Sequence, residues 1–241
     1  EVRQALTFLF DRAAALRANF GEDAGVIVSG PFTPSSFCIN PEVRPRSHDP
    51  IMADRLLDQA NLLDRDGNGF REYNGKDIRL RMVLSKSMSE ANKAVCADFQ
   101  RQAAEHMIRV DLDYQEKEVR YERVFYHHDY EIAFVTWKFD AASNVRPLFS
   151  TTEQDPGSYN IVQFDHDGVE ELLGRFRGST DDAERTAAGQ RLHSVLHDEV
   201  PYTFLWTLHH YAGLRIDKIK RIQIDPFYFF RTIENWEMAA Q

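Results

Sequence analysis

The spacing of apolar residues along the chain predicts a domain in which helices alternate with strands. Apolar and polar residues alternate over 78–84, which is the pattern of a strand with one solvent-facing side. Apolar residues at helical spacing follow over 91–107. Ile108, Val110 and Leu112, which alternate with polar residues, and an apolar run at 132–137 predict two further strands, with a short helix between them. The run at 132–137 is nearly continuous, which predicts burial on both faces. Segment 78–137 therefore predicts a β-α-β-α-β unit of parallel strands with right-handed crossovers.

Capping residues and apolar spacing predict the remaining helices. One helix is expected over 2–17, and another starts at Asp49-Pro50, an N-cap acid followed by proline at the first helical position. The sequence Ser-Met-Ser-Glu at 87–90 is a capping box for the long helix that follows. Two more helices are expected over 168–176 and 180–198. Apolar runs at 202–208 and 219–224 predict late strands, and an aromatic-rich tail follows from 225 to 241.

Composition bounds the class of protein. A chain of 241 residues with 43% hydrophobic and 28% charged residues suits one large domain or two small ones. The net charge of −9 argues against a nucleic-acid partner, because binding phosphates requires a basic face. No apolar run approaches the roughly 20 residues that span a bilayer. Cys38 and Cys96 allow at most one disulfide, and their pairing stays open.

Two groups of residues are weak candidates for metal binding. Asp64, Asp66 and Asn68, followed by Gly69, match the opening of an EF-hand calcium loop, but the twelfth position is a glycine where that loop needs a bidentate glutamate. The alternative is a glycine-rich turn in which the carboxylates cap backbone amides. His193 and His197 lie four residues apart and share a helix face, and the alternative there is a polar face near the helix end.

The strongest candidate for binding a small molecule is the segment that contains Trp137, Phe139 and Asp140. It follows the last predicted strand of the parallel unit, and ligands of open α/β sheets bind beyond the carboxyl ends of strands. An indole beside a carboxylate suits a cationic group on an otherwise apolar ligand. The alternative is a core tryptophan followed by a loop-capping aspartate. The sequence contains no Gly-x-Ser-x-Gly elbow and no phosphate-binding loop, so no catalytic residue is assigned.

Taken together, these segments resemble the C-terminal lobe of extracellular solute-binding proteins of family five, the peptide-binding receptors of ABC importers. The resemblance is carried by residues 2–12, 30–43, 53–69, Trp137 to Asp140, Tyr159-Asn160 and 201–206. The family often continues after its aspartate with Tyr-x-Asp-Pro, whereas this chain has Ala-Ala-Ser-Asn at 141–144.

The resemblance implies a periplasmic-binding-protein-like (type II) α/β lobe with a mixed sheet, flanked by helices. Residues 1–213 would form this lobe, and residues 214–241 would be a return segment that packs on an N-terminal lobe lying outside this sequence. The chain opens at Glu1 with a helix already under way, so we expect it to have a longer precursor or to be part of a longer protein.

The same resemblance implies a receptor whose two lobes close around a peptide-like solute and deliver it to a membrane permease. Asp140 would meet the ammonium group of the ligand, Trp137 would wall a side-chain pocket, and Asn160 would bond the ligand backbone or water. Phe139 and Tyr159 complete the implied ligand-binding set. We expect a periplasmic or extracellular monomer without a cofactor, and leave a lipid anchor open.

Three alternatives remain at this level. A receptor of the same fold for a metal chelate or a sugar is compatible with the histidines, which include His127-His128 and His209-His210. A secreted hydrolase domain would use two carboxylates from the long irregular segment 139–165. A structural α/β module without a ligand of its own is the third.

Overall fold

The computed structural model of the protein describes residues 1–139, 141–215, 217–225 and 227–239, and within them helices alternate with short strands. The helices are α1 (Val2–Leu9), α2 (Arg12–Phe20), α3 (Pro50–Gln59), α4 (Glu90–Glu105), α5 (Lys117–Tyr121), α6 (Arg146–Phe149), α7 (Asp167–Gly178) and α8 (Asp182–Glu199). The strands are β1 (Gly25–Ile27), β2 (Glu72–Tyr73), β3 (Lys76–Asp77), β4 (Arg79–Ser85), β5 (Arg109–Gln115), β6 (Ile132–Ala133), β7 (Trp206–Leu208), β8 (Ile219–Arg221) and β9 (Glu237–Met238). A π-helical turn (Glu122–Tyr126) continues α5.

The predicted β-α-β-α-β unit is confirmed. Strand β4 lies between β5 and β6, and both neighbours run parallel to it. The β4–β5 ladder runs the full length of both strands, from Arg79 opposite Arg109 to Ser85 opposite Gln115. Helix α4 connects β4 to β5, and α5 with its π-helical extension connects β5 to β6, which lies at the opposite edge of the sheet.

The last strand of this unit differs from the prediction. Only Ile132 and Ala133 of the predicted strand 132–137 pair with β4, and residues 134–137 are half-buried or exposed instead of buried on both faces. The carbonyl of Phe134 accepts a hydrogen bond of 2.7 Å from Nη2 of Arg120 instead of joining the ladder. The chain therefore leaves the sheet after Ala133, and the apolar side chains that follow line a cavity.

The observed helix boundaries agree with some of the predicted capping residues and differ from others. Asp49 caps α3 as predicted, its carboxylate accepting from the Met52 amide at 2.9 Å. The predicted helix 2–17 is wrong as a single element, because the chain breaks before Asp11, which caps the new helix α2. Helix α4 begins two residues later than the predicted capping box at 87–90 implies, since Ser89 and not Ser87 is its N-cap. The two helices predicted over 168–198 are present as α7 and α8.

Most of the buried apolar side chains form two separate clusters. The first packs helices α1–α4 against one another and the parallel sheet, and it includes Leu9, Leu57 and Leu84. The second surrounds α6–α8 and the proline-rich loop between β1 and α3 (residues 28–49), and it includes Phe149 and Leu192. Cys96 lies in the first cluster and Cys38 in the second, and both thiols are free and buried, so the open question of a disulfide is answered: the two do not pair.

An antiparallel pair of strands joins the start of the chain to its later part. Strand β1, which the apolar pattern did not predict, pairs with β7, the only part of the predicted strand 202–208 that forms a ladder. Nearby, the buried guanidinium of Arg12 donates to the carbonyls of Phe204 and Arg46. Burial, aided by the neighbouring Arg46, lowers the pKa of Arg12 to about 10. These contacts fasten α2 to two distant segments of the chain.

The C-terminal segment is built differently from the rest. Strand β8 covers only the first part of the predicted strand 219–224 and pairs with β9 in a short antiparallel ladder. Phe229, Phe230 and Trp236 contact one another edge-on or tilted, with ring centroids 4.8–5.8 Å apart. None of the buried clusters takes a residue from the described part of 214–239. Among the described helices, none is long and apolar enough to cross a membrane.

Candidate functional site

The acidic turn that resembles a calcium loop is stabilised by its own carboxylates. The two carboxylate oxygens of Asp64 accept from the amides of Gly67 and Gly69 at 2.8 and 2.9 Å. Glu72 accepts from the amides of Arg65 and Asp66 in the same way, at 3.0 and 3.2 Å. Although carboxylate oxygens of Asp64, Asp66 and Glu72 lie within 4.8 Å of one another, these hydrogen bonds are those of a capped glycine-rich turn.

The histidine pair on α8 serves the packing of the proline-rich loop. His193 is fully buried, and its Nδ1 accepts from the Asn40 amide while Nε2 donates to the Ser29 hydroxyl, both at 3.0 Å. Burial, with a smaller contribution from His197, lowers the pKa of His193 to about 4. His197 donates from Nδ1 to the Ser29 carbonyl at 2.9 Å. Both nitrogens of His193 are therefore occupied, and the ring is held neutral at physiological pH.

A cavity of about 220 Å³ opens at the carboxyl end of the parallel sheet. The end of each strand, or the segment that follows it, contributes to the lining. Ser85 ends β4, Arg120 lies on the helix that follows β5, and residues 134–137 follow β6. Asn92, from the first turn of α4, completes this side. The position agrees with the rule that ligands of open α/β sheets bind beyond the carboxyl ends of the strands.

Aromatic side chains form one wall beside this cavity. The ring of Trp137 meets Tyr159 edge-to-face at a centroid distance of 5.7 Å, and Phe125 at 6.3 Å. Phe125 and Tyr159 are themselves 6.1 Å apart, so the three rings touch pairwise. Tyr159 is 46% exposed, whereas Phe125 is buried. The structure thus brings together Trp137 and Tyr159, which lie 22 positions apart in the sequence, and presents one ring to solvent.

Two buried polar atoms in or next to the aromatic wall have no hydrogen-bond partner within the described part of the chain. Among the described residues, the buried atoms that lack a hydrogen bond include the indole nitrogen of Trp137 and the hydroxyl of Tyr202. Burial raises the pKa of Tyr202, and the Trp137 N–H offsets part of that shift, although the two groups do not reach hydrogen-bond geometry. A buried donor without an acceptor costs about 1–3 kcal/mol, which a bound acceptor would offset.

The other residues of the expected ligand set are placed as follows. Asn160 is completely buried, and its amide bonds the carbonyls of Ser150 and Phe164 and the Phe164 amide at 2.8–3.0 Å. It therefore fixes the loop that carries Tyr159. Phe139 is half-buried and packs on the second apolar cluster. Asp140 lies outside the described residues.

Sequence reasoning missed Arg120, the only charged side chain among the described residues that line the cavity. The available signal was its place in the connection after β5, because such connections supply ligand contacts in α/β sheets. The same lining contains no carboxylate among its described residues, so the carboxylate pair that a hydrolase would need is not found there.

Comparison with known proteins bears on both the fold and the site. Residues 1–158 match the family of bacterial extracellular solute-binding proteins, family 5 Middle. No curated protein matches the sequence.

Solved structures with the same fold extend over nearly the whole chain. The oligopeptide-binding protein AppA from Bacillus subtilis, solved with a nonapeptide, aligns with a TM-score of 0.80 and 18% identity, covering 99% of this chain and 47% of AppA. NikA from Brucella suis, solved with Fe(III)-EDTA, aligns with a TM-score of 0.73 and 21% identity over 86% of this chain and 41% of NikA. DppA from Helicobacter pylori, solved with the peptide STSA, aligns with a TM-score of 0.72 and 20% identity over 85% of this chain and 37% of DppA. The chain thus spans less than half the length of each.

Proposed function

We propose that this chain, which belongs to the bacterial extracellular solute-binding proteins of family 5, forms one lobe of a receptor that captures a peptide-like solute. The receptor would act outside the cytoplasmic membrane and pass the solute to the permease of an ABC import system. The observation that carries the proposal is the cavity at the carboxyl end of the parallel sheet, with its aromatic wall of Phe125, Trp137 and Tyr159. The coverage of less than half of AppA and DppA by this chain supports the proposal of one lobe.

The size of the cavity fits half of a binding site. Complete ligand pockets occupy about 300–1,000 Å³, and the cavity of about 220 Å³ is smaller than that range. A second lobe that closes over its open side would supply the remaining contacts and exclude water. In this proposal, Trp137 and Tyr159 contact apolar parts of the solute, and Asn160 acts by holding the loop beneath Tyr159.

Asp140 is proposed to pair with the ammonium group of the solute. The support is its sequence position, three residues after Trp137, and the high cost of burying an unpaired ammonium group. In the full-length receptor, Asp140→Asn is expected to weaken binding of the tripeptide Ala-Ala-Ala by about tenfold or more, measured by calorimetry.

Two controls make this test specific. N-acetylated Ala-Ala-Ala lacks the ammonium group, so the wild-type receptor should bind it as weakly as Asp140→Asn binds the free peptide. Asp155→Asn changes an exposed carboxylate in the loop that follows and should leave affinity unchanged. Equal affinity of wild type and Asp140→Asn for the free peptide contradicts the role given to Asp140. Failure of the wild-type receptor to bind any peptide contradicts the proposed function.

Residues 214–241 are proposed to return to the other lobe and to pack on it. The support is the exposure of large apolar side chains in this segment, among them Tyr228, Phe230, Ile233 and Met238, which a soluble protein rarely leaves uncovered together. Phe230→Ser should cost about 2–4 kcal/mol of unfolding free energy in the full-length receptor and less than about 0.5 kcal/mol in the isolated chain. Equal effects in urea unfolding of both would contradict the proposal.

A further inference from the structure

The guanidinium of Arg120 lacks the compensation that a half-buried cation normally has. Its side chain makes one hydrogen bond with the described residues, from Nη2 to the Phe134 carbonyl at 2.7 Å, and no ion pair. The remaining nitrogens, Nε and Nη1, make no hydrogen bond with any described residue. A guanidinium carries five N–H donors, so most of its capacity is unused.

Other arginines of the protein have more hydrogen-bond or ion-pair partners than Arg120. Arg123, one turn further along, pairs with Asp113 at 2.7 Å and Asp129 at 2.9 Å. Arg81 pairs with Asp129 at 2.5 Å. Buried Arg12 also lacks a carboxylate, but both of its terminal nitrogens donate to backbone carbonyls. The chain has 38 acidic and 29 basic residues, so carboxylates outnumber cations. Even so, no carboxylate of a described residue pairs with Arg120.

The surroundings of Arg120 favour an anion. Asn92, which lines the same cavity, lies in the first turn of α4, where the helix dipole attracts negative charge, and its own amide is capped by the Ser89 hydroxyl at 3.3 Å. The acid of that turn, Glu90, pairs with Lys93 at 2.8 Å and is not among the lining residues. Burial lowers the pKa of Arg120, which marks a cation that has lost part of its hydration.

We propose that Arg120 is a specificity residue that receives a carboxylate of the solute at the carboxyl end of the sheet. This inference rests on the proposed function, because it assigns a ligand chemistry to the same cavity. A carboxylate matches the fork of N–H groups that Arg120 leaves free, and charge-assisted bonds of this kind are the strongest in proteins. The solute class is therefore a peptide-like molecule with an accessible carboxylate, carried by an acidic side chain or by the C-terminus.

Four tetrapeptides distinguish the two sources of the carboxylate. They are Ala-Ala-Glu-Ala and Ala-Ala-Gln-Ala, each with a free or an amidated C-terminus, titrated into the full-length receptor by calorimetry. Wild type should bind at least one carboxylate-bearing peptide about 10–100-fold more tightly than the amidated glutamine peptide. Arg120→Gln should abolish this preference, whereas Arg120→Lys, which keeps the charge but not the fork, should retain part of it. The free-acid glutamine peptide and the amidated glutamate peptide show whether the terminus or the side chain is read.

A matched control and a second measurement separate binding from folding. Arg55→Gln removes an exposed arginine of α3 that takes no part in the cavity and should leave all four affinities unchanged. Arg120→Gln must retain the far-UV spectrum and the affinity of wild type for the amidated glutamine peptide. If wild type binds all four peptides equally, or if Arg120→Gln keeps the preference, the inference about Arg120 is wrong while the proposed function stands. If wild type binds none of them, both are wrong.

Discussion

Two arginines of this protein, Arg71 and Arg120, occupy opposite kinds of environment. Arg71 is 3% exposed, and its guanidinium donates to carbonyls of Leu62 and His106 and pairs with Asp54 and Asp58 at 2.6–3.0 Å. Arg120 is only half-buried and has one carbonyl as its partner. The more deeply buried cation is thus the better compensated one.

The difference separates a guanidinium that stabilises the fold from one whose N–H groups are largely free to bind a ligand. The cluster around Arg71 closes on itself, because Nδ1 of His106 also bonds Asp54 at 2.8 Å. The cavity around Arg120 contains an unused guanidinium and lies beside a buried indole N–H without an acceptor. Both features lie at the carboxyl end of the parallel sheet, the position at which open α/β folds bind their ligands.

The largest expected effect comes from Arg71. Arg71→Gln leaves two buried carbonyls and two carboxylates without their donor and should lower the free energy of unfolding by about 3 kcal/mol. This value is at the low end for a buried ion pair, because Asp54 and Asp58 are 47% and 55% exposed and are rehydrated. Urea unfolding followed by circular dichroism measures the change.

Arg120→Gln is the matched substitution and should cost less than about 1 kcal/mol, since a single hydrogen bond is lost. Arg71→Gln is therefore expected to destabilise the fold more than Arg120→Gln does. A larger loss of stability from Arg120→Gln than from Arg71→Gln would show that Arg120 is a structural cation after all.

An effect comparable to that of Arg71→Gln, but confined to acidic pH, concerns His193, which resembles Arg71 in being buried and fully hydrogen-bonded. Its pKa in the folded protein is about 4, below the ordinary value of 6.5, mainly because of burial. The unfolded chain therefore binds the proton more tightly, and the stability contributed by neutral His193 is complete above pH 6.5 and lost as the pH falls toward 4. The loss should approach about 3 kcal/mol at pH 4.

Other groups also make the free energy of unfolding depend on pH, and their contribution must be separated from that of His193. His197 and several carboxylates also have lowered pKa values, so they add to the slope on the acid side. His193→Gln should flatten the dependence of unfolding free energy on pH between 4.5 and 6.5, and His127→Gln, at an exposed ring, should not. Identical slopes for wild type and His193→Gln would rule out this assignment.

The parallel unit was predictable because its signals are local and agree with one another. Alternation over 78–84, a long amphipathic helix and a second alternating segment at 108–112 together specify strand, crossover and strand, and the structure has this order as β4, α4 and β5. The error at 132–137 shows the limit of such reasoning. A continuous apolar run is compatible both with a doubly buried strand and with a segment that lines a cavity, and the choice is made by the tertiary contact of Phe134 with Arg120.

The site was predictable in part. The position of Trp137 after a strand pointed to the end of the sheet at which the cavity opens, and the resemblance to a known family added Tyr159, which the structure places against it. The place of Arg120 in the connection after β5 was an available signal, but its role was not predictable, because one arginine among many carries no local sign of its missing partner. Whether a cation is compensated depends on residues distant in the sequence, as the pairing of Arg71 with Asp54 illustrates.

The two thiols give this protein a built-in means of observing its halves separately. Each apolar cluster holds one cysteine, and burial raises the pKa of Cys38 to about 11 and that of Cys96 to about 12, so neither is a reactive thiolate in the native state. Alkylation of Cys96 therefore requires the helices around the sheet to separate, whereas alkylation of Cys38 requires opening around α8, whose Gly189 packs directly on it. Comparing the two labelling rates reports whether the clusters melt in one cooperative step or as independent units.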